Sequence, residues 1–304
     1  MTFEQLDELT DKSITSVEKE IIKVYQESLI IIRSQLNELY IKYGNPDGTL
    51  TYSDMSKYGR LKSLEARIID ELSRLTGLNA NRLKSALRDI YSQEYYHTGF
   101  IFETGAQVKL GYMPLDSKVI EASIQNPISG LTLSDTLAKN KQNVIIAIRQ
   151  QITQGLVNGE SYYKMSQRIK STLEGDAKKA IRVAQTEAHR VQNEGREASY
   201  QHAESKGLKF KKIWTSSLST RTRESHASLD GKIADSSGYF HYGGAKALYP
   251  GGFGLAKLDI NCRCTTRAEF EGYESTERKD SEIKKIIPYT NYDEWYMNRI
   301  TQSN

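Results

Sequence analysis

The two cysteines of the chain, Cys262 and Cys264, are separated by one residue, Arg263. In a strand, residues i and i+2 share a face, so this spacing predicts two sulfurs side by side with Arg263 turned away. A disulfide across so short a loop would close a small, strained ring. Two other chemistries remain. Two thiolates can share a soft metal ion, and zinc would then need two further ligands. His226, His241, Asp230 and Asp259 are the candidates. Alternatively, both cysteines are small buried apolar groups. A second constellation lies in SLSTRTRESHASLDGK, Ser217 to Lys232. A short helix here would put His226 and Asp230, four residues apart, on one face. Such a pair suits acid–base work or the orientation of a metal-bound imidazole. It equally suits a structural hydrogen bond. Arg221 and Arg223 could bind phosphate or pair with carboxylates. A metal-dependent hydrolase or nuclease would draw on His226, Asp230, Cys262 and Cys264.

The elements that must position these residues are mostly helices. Ile14, Val17, Ile21, Tyr25, Leu29, Ile32, Leu36, Leu39 and Tyr43 recur every three or four residues. That spacing predicts one apolar stripe on a helix over about 4–43, roughly 60 Å long at 1.5 Å per residue. Gly44-Asn45-Pro46-Asp47-Gly48 ends it. Further helices are expected at about 54–75 and 79–104, the second capped by Asn79. Residues 105–130 read as a connector with one short helix. Helical pattern resumes at Leu133, breaks at Asn158-Gly159, and continues over about 160–173 and 176–206. After Gly207, Lys209-Phe210-Lys211-Lys212-Ile213-Trp214-Thr215 alternates as a strand does, and a second strand is expected near Cys262–Phe270. The fold class expected is α+β. It comprises a helical, elongated N-terminal arm (1–104), the connector (105–130), a central helical region (131–206), a small loop-rich α+β unit (207–272) and a charged, aromatic tail (273–304). The aromatic tail, with Trp295, can dock on this chain or on a partner, and together with the arm it is the candidate for docking to a partner.

Charge is uneven. Residues 139–223 carry 17 Lys/Arg against 7 Asp/Glu, while the whole chain is only +4. Such a block can steer a protein toward nucleic acid, or it can be a solvated helix surface. The candidate DNA contacts are Lys178, Lys179, Arg182, Arg190, Lys209, Lys211 and Lys212. No apolar run reaches the roughly 18–20 residues of a membrane span, and Met1-Thr2-Phe3-Glu4-Gln5 does not open a secretory leader. Two cysteines cannot build a disulfide framework, which predicts synthesis in a reducing compartment.

Four segments in order, TEAHRVQNEGREASY, KKIWTSSLSTRTRESHASLDGK, YPGGFG and INCRC, resemble the phage Mu F-like minor head proteins, the head morphogenesis proteins of the SPP1 type. The resemblance covers about residues 140–270. It singles out Thr186, Glu187, Asn193, Trp214, Arg221, Arg223, His226, Asp230, Gly231, Pro250, Asn261, Cys262, Arg263 and Cys264. One departure is Gln185, where the family often has arginine. Some relatives carry a toxin domain after this unit, and the 34 residues beyond Phe270 are too few for one. The resemblance implies a minor structural protein of a tailed double-stranded DNA phage or prophage, inside the virion and, during assembly, in the host cytoplasm. Its implied partners are the portal protein, procapsid or scaffold components and DNA, with no membrane. Its implied role is head assembly and genome packaging or ejection, without enzymatic activity. The two cysteines would stabilise the α+β unit, by a structural zinc or by burial.

Overall fold

The computed structural model describes residues 1–128 and 130–301. The fold class is α+β. Helix α1 spans Phe3–Tyr43 and α2 Tyr52–Ser56, followed by α3 (Arg60–Ala106), α4 (Ser117–Gln125), α5 (Leu133–Val157) and α6 (Tyr162–Ser205). The remainder holds β1 (Lys211–Thr215), α7 (Glu224–Ala227), β2 (Phe240–Tyr242), β3 (Ala245–Ala247), α8 (Ala256–Asp259), β4 (Thr265–Glu269), β5 (Glu277–Asp280), β6 (Lys285–Pro288) and α9 (Tyr292–Thr301). Strands pair antiparallel in twos, β1 with β4, β2 with β3 and β5 with β6. In the first pair Lys211 faces Glu269 and Thr215 faces Thr265.

Two helices are longer than the sequence predicts. Helix α3 runs through Asn79, which is a buried interior residue and not a cap. The apolar stripe Leu72, Leu75, Leu83, Leu87 continues across it, and burial of that stripe outweighs the local capping preference of asparagine. Helix α6 runs through Gly175-Asp176. There the Tyr25 hydroxyl donates to Asp176 at 2.5 Å, a tertiary contact that holds the helix across its glycine.

The chain forms two compact units, and neither follows the expected sequential division. One comprises residues 16–84 and 134–184, all helical or connecting. Ile32, Leu36, Ile68, Leu72, Ile148, Ile152, Ile169 and Leu173 are buried in it. Ser28 donates to Glu71 at 2.5 Å, and Tyr40 to the Glu160 carbonyl at 2.8 Å.

The other comprises residues 1–15, 85–133 and 185–304. Phe3 and Leu6 share a core there with Ile101, Phe102, Tyr200, Ala268 and Phe270. The first residues of the chain are therefore part of the unit that holds the cysteines, and not of a separate arm. Arg196 ties this core together. Its guanidinium is fully buried and donates to Glu94 (2.8 Å), Asp7 (2.6 Å) and the Thr266 carbonyl (2.6 Å). At Gly195 a Cβ would lie 2.7 Å from the Tyr91 carbonyl oxygen, so α6 and α3 meet backbone to backbone. Gly195→Ala is expected to destabilise by about 1–3 kcal/mol through overpacking, against the roughly 1 kcal/mol that alanine offers a helix. An unchanged or raised urea midpoint would show that the close approach can relax.

The C-terminal tail folds back onto its own unit. Trp295 is buried, donates from Nε1 to Asp280 at 2.7 Å, and packs with Leu218 and Tyr292. The indole is thus docked on this chain, one of the two placements open to the tail.

Candidate functional site

His226, Cys262 and Cys264 converge. All three are buried, and one ligand atom from each lies within 4.8 Å of the others. His226 Nδ1 is 3.3 Å from Cys264 Sγ and 3.5 Å from Cys262 Sγ. The geometry that achieves this differs from the strand expected. Strand β4 begins at Thr265, after both cysteines. They lie instead in the turn that follows α8. Asn261 adopts a left-handed φ of 58° there, a conformation that asparagine tolerates better than most residues. The Cys262 N–H then donates to the Asp259 carbonyl at 3.2 Å.

Helix α6 holds this turn from behind. Asn193 donates to the Cys264 carbonyl at 3.0 Å, and Thr186 accepts the Asn261 N–H at 3.1 Å. Gln185, at the position where the family often has arginine, accepts from Arg263 at 3.3 Å. Arg223 fastens α8 by donating to the carbonyls of Lys257 (2.7 Å), Leu258 (3.1 Å) and Ile260. On the other side, Ser216 Oγ donates to the His226 carbonyl at 2.6 Å. Trp214 stands edge-on to the His226 ring at 5.9 Å, within the core that also buries both cysteines.

Burial by itself would push the Cys264 thiol up. The hydrogen bonds from Cys262 and His226 outweigh it and hold Cys264 well below the usual thiol value. Cys262 moves the other way, raised by its hydrogen bond to Cys264 and by burial.

The remaining candidate ligands have other hydrogen-bond partners. Asp230 does not face His226. It accepts from both terminal nitrogens of Arg278 (2.5 and 2.8 Å) and from the Ser216 and Tyr292 N–H groups (2.8 Å each). Gly231 follows it with φ 71° and donates to the Trp214 carbonyl, closing the turn. His241 is exposed and bonded to Asp235 at 2.6 Å, a contact that holds the Asp235 carboxyl down at about 2. Asp259 accepts the Phe253 and Leu255 N–H groups at 3.0 and 2.9 Å and organises the loop before α8. Arg278 carries no local signature in the sequence. Only its long-range partner reveals it.

The basic residues divide in the same way. Lys178, Lys179, Arg182, Lys209 and Lys211 are exposed, and Arg182 also has a partner within the fold. Arg190 and Lys212 are buried counter-charges and are not available to DNA. Arg190 pairs with Glu187 (2.9 Å) and Glu194 (2.7 Å), and Lys212 with Glu197 (2.8 Å). Their positive charge neutralises carboxylates that the fold takes out of water, which a count along the sequence cannot distinguish from surface charge.

Residues 147–267, which include the whole cysteine–histidine cluster, match the family model described as Phage Mu protein F like protein. Over 298 residues the chain is 34% identical to the Minor head protein GP7 of Bacillus phage SPP1, covering 95% of this chain and 96% of that one. The chain therefore belongs to the Mu F-like family of phage minor head proteins. It is also 29% identical over 303 residues to a protein of Enterococcus faecalis named NAD(+)--arginine ADP-ribosyltransferase EFV, covering 98% of this chain but 61% of that protein. No solved structure matches.

Proposed function

We propose that this protein is a non-enzymatic minor head protein that associates with the portal vertex inside the procapsid and contacts packaged DNA without sequence preference. The observation that carries the reading is the similarity to a minor head protein along nearly the full length of both chains. Its place is then the virion interior, reached from the host cytoplasm during assembly, with the portal and other procapsid components as partners. Among the described residues no helix is long and apolar enough to cross a membrane. The activity in the name of the E. faecalis relative belongs to a protein of which this chain spans 61%, so it is not carried over.

A hydrolytic reading of the cluster needs a base beside the metal ligands. The carboxylate expected for that role, Asp230, is occupied by Arg278. That supports a structural role for the C-terminal unit.

The test has two arms. Full-length protein should co-sediment with portal rings, and it should retard double-stranded DNA without cleaving it in the presence of divalent metal. Every phosphate that a variant no longer neutralises should lower the slope of log K against log salt by roughly 0.9. Replacing Lys178 and Lys179, or Lys209 and Lys211, with glutamate is therefore expected to weaken binding and flatten its salt dependence. Lys212→Glu is unsuited to this test, because it would break a buried ion pair. Retardation unchanged by both exposed pairs, or insensitive to salt, rejects the DNA interaction. Metal-dependent cleavage rejects the structural role.

A further inference from the structure

We propose that Cys262, Cys264 and His226 Nδ1 bind one zinc ion, and that its fourth ligand comes from outside the chain as an oxyanion. The donor spacing supports the first part. Tetrahedral zinc with Zn–S near 2.3 Å and Zn–N near 2.0–2.1 Å places nitrogen and sulfur about 3.5 Å apart. The two separations here are 3.3 and 3.5 Å. Hydrogen bonding links the three groups only with both Cys262 and His226 donating to Cys264, which leaves the Cys262–His226 approach at 3.5 Å without a bond of its own. A neutral imidazole nitrogen offers either one proton or one lone pair, yet both sulfurs face the same Nδ1. One ion between them satisfies all three at once. Both thiols are free of disulfides, and the turn that presents them is fixed independently by Asn193 and Thr186.

The second part rests on what surrounds the donors. An open pocket of about 240 Å³ adjoins them, walled by hydroxyls and by Arg221, Arg223 and Arg263. Among the described residues no carboxylate lines it, and Asp259, Asp230 and His241 are committed elsewhere. Nearby, His226 Nε2 is buried without a partner among the described residues. A three-ligand protein site keeps a position for an exogenous group. With Arg221 and Arg263 exposed beside it, a phosphate-type oxyanion fits that position.

The experiment uses the full-length protein, stripped with a chelator and reloaded with cobalt(II). One equivalent should bind, with a thiolate-to-cobalt charge-transfer band and the intense visible bands of a tetrahedral site. Cys262→Ser, Cys264→Ser and His226→Gln should each weaken binding more than about 100-fold, since even outer partners of a metal ligand are worth 10–100-fold. Freshly purified protein should carry one zinc by elemental analysis, a readout that stands if a variant fails to fold. Protein without zinc that also fails to give the charge-transfer band overturns the metal site. Titrating inorganic phosphate, and separately a short DNA duplex, into the cobalt protein should shift the visible bands. A shift with phosphate alone identifies a free anion, and a shift with both identifies the DNA backbone. Bands unmoved by either overturn the open fourth position.

Discussion

Arg196→Met is expected to lower the free energy of unfolding by about 3–5 kcal/mol, the range for breaking a buried ion pair from one side. That is a large share of the roughly 5–15 kcal/mol that separates a typical domain from its unfolded state. The reason is the company Arg196 keeps. The Glu94 side chain is as fully buried as the guanidinium, and Asp7 approaches the same nitrogen. Removing the cation leaves two carboxylates facing each other and costs the Thr266 carbonyl its shorter bond, leaving it the Tyr200 hydroxyl at 3.3 Å. The first turns of α1, the last part of α3, the second half of α6 and strand β4 all meet at this side chain. Urea denaturation should therefore show a lower midpoint for the whole unit and not for one element. Adding Glu94→Leu should restore much of the stability, because buried pairs replaced by apolar groups are often neutral. A single variant with an unchanged midpoint would mean that water reaches the site. A double variant no better than the single would assign the effect to packing around the Phe3 ring, which the guanidinium approaches within 5.3 Å.

Asp230→Ala should cost a similar amount, about 3–5 kcal/mol, by leaving Arg278 buried and unpaired. Its effect should be local. Asp230 joins the turn after α7 to β5 through Arg278 and to α9 through the Tyr292 N–H. Amide hydrogen exchange is expected to rise over residues 277–301, with protection retained around Phe102 and Tyr200. If the variant instead kept its tail protected and failed to hold metal, Asp230 would belong with His226 after all.

Much of this was legible in the sequence. The stripe from Ile14 to Leu39 fixes α1, because a period of 3.6 can be buried on one side only as a helix. The four family segments locate the residues that converge on the cysteine turn. Thr186, Asn193, Arg223, His226 and Asn261 all hold or form that turn. Two kinds of statement were not legible. Local breaks at Asn79 and Gly175 predict helix ends, but tertiary contacts carry α3 and α6 through them. Charge counted along the chain also merges exposed lysines with buried counter-ions such as Arg190 and Lys212.

The sequence by itself determined the α+β class, the helical character of the first two-thirds and the membership of the family. These follow from periodicity and motif order, which are properties of neighbours along the chain. The tertiary structure alone decided the partners. It took Asp230 from His226 and gave it to Arg278, placed Phe3 in the same core as Phe270, and folded Trp295 inward. It also brought His226 to two cysteines some 36 and 38 residues away. Pairing across such distances depends on which buried charges and apolar faces can be satisfied together. That choice belongs to the whole fold, because no local spacing encodes it.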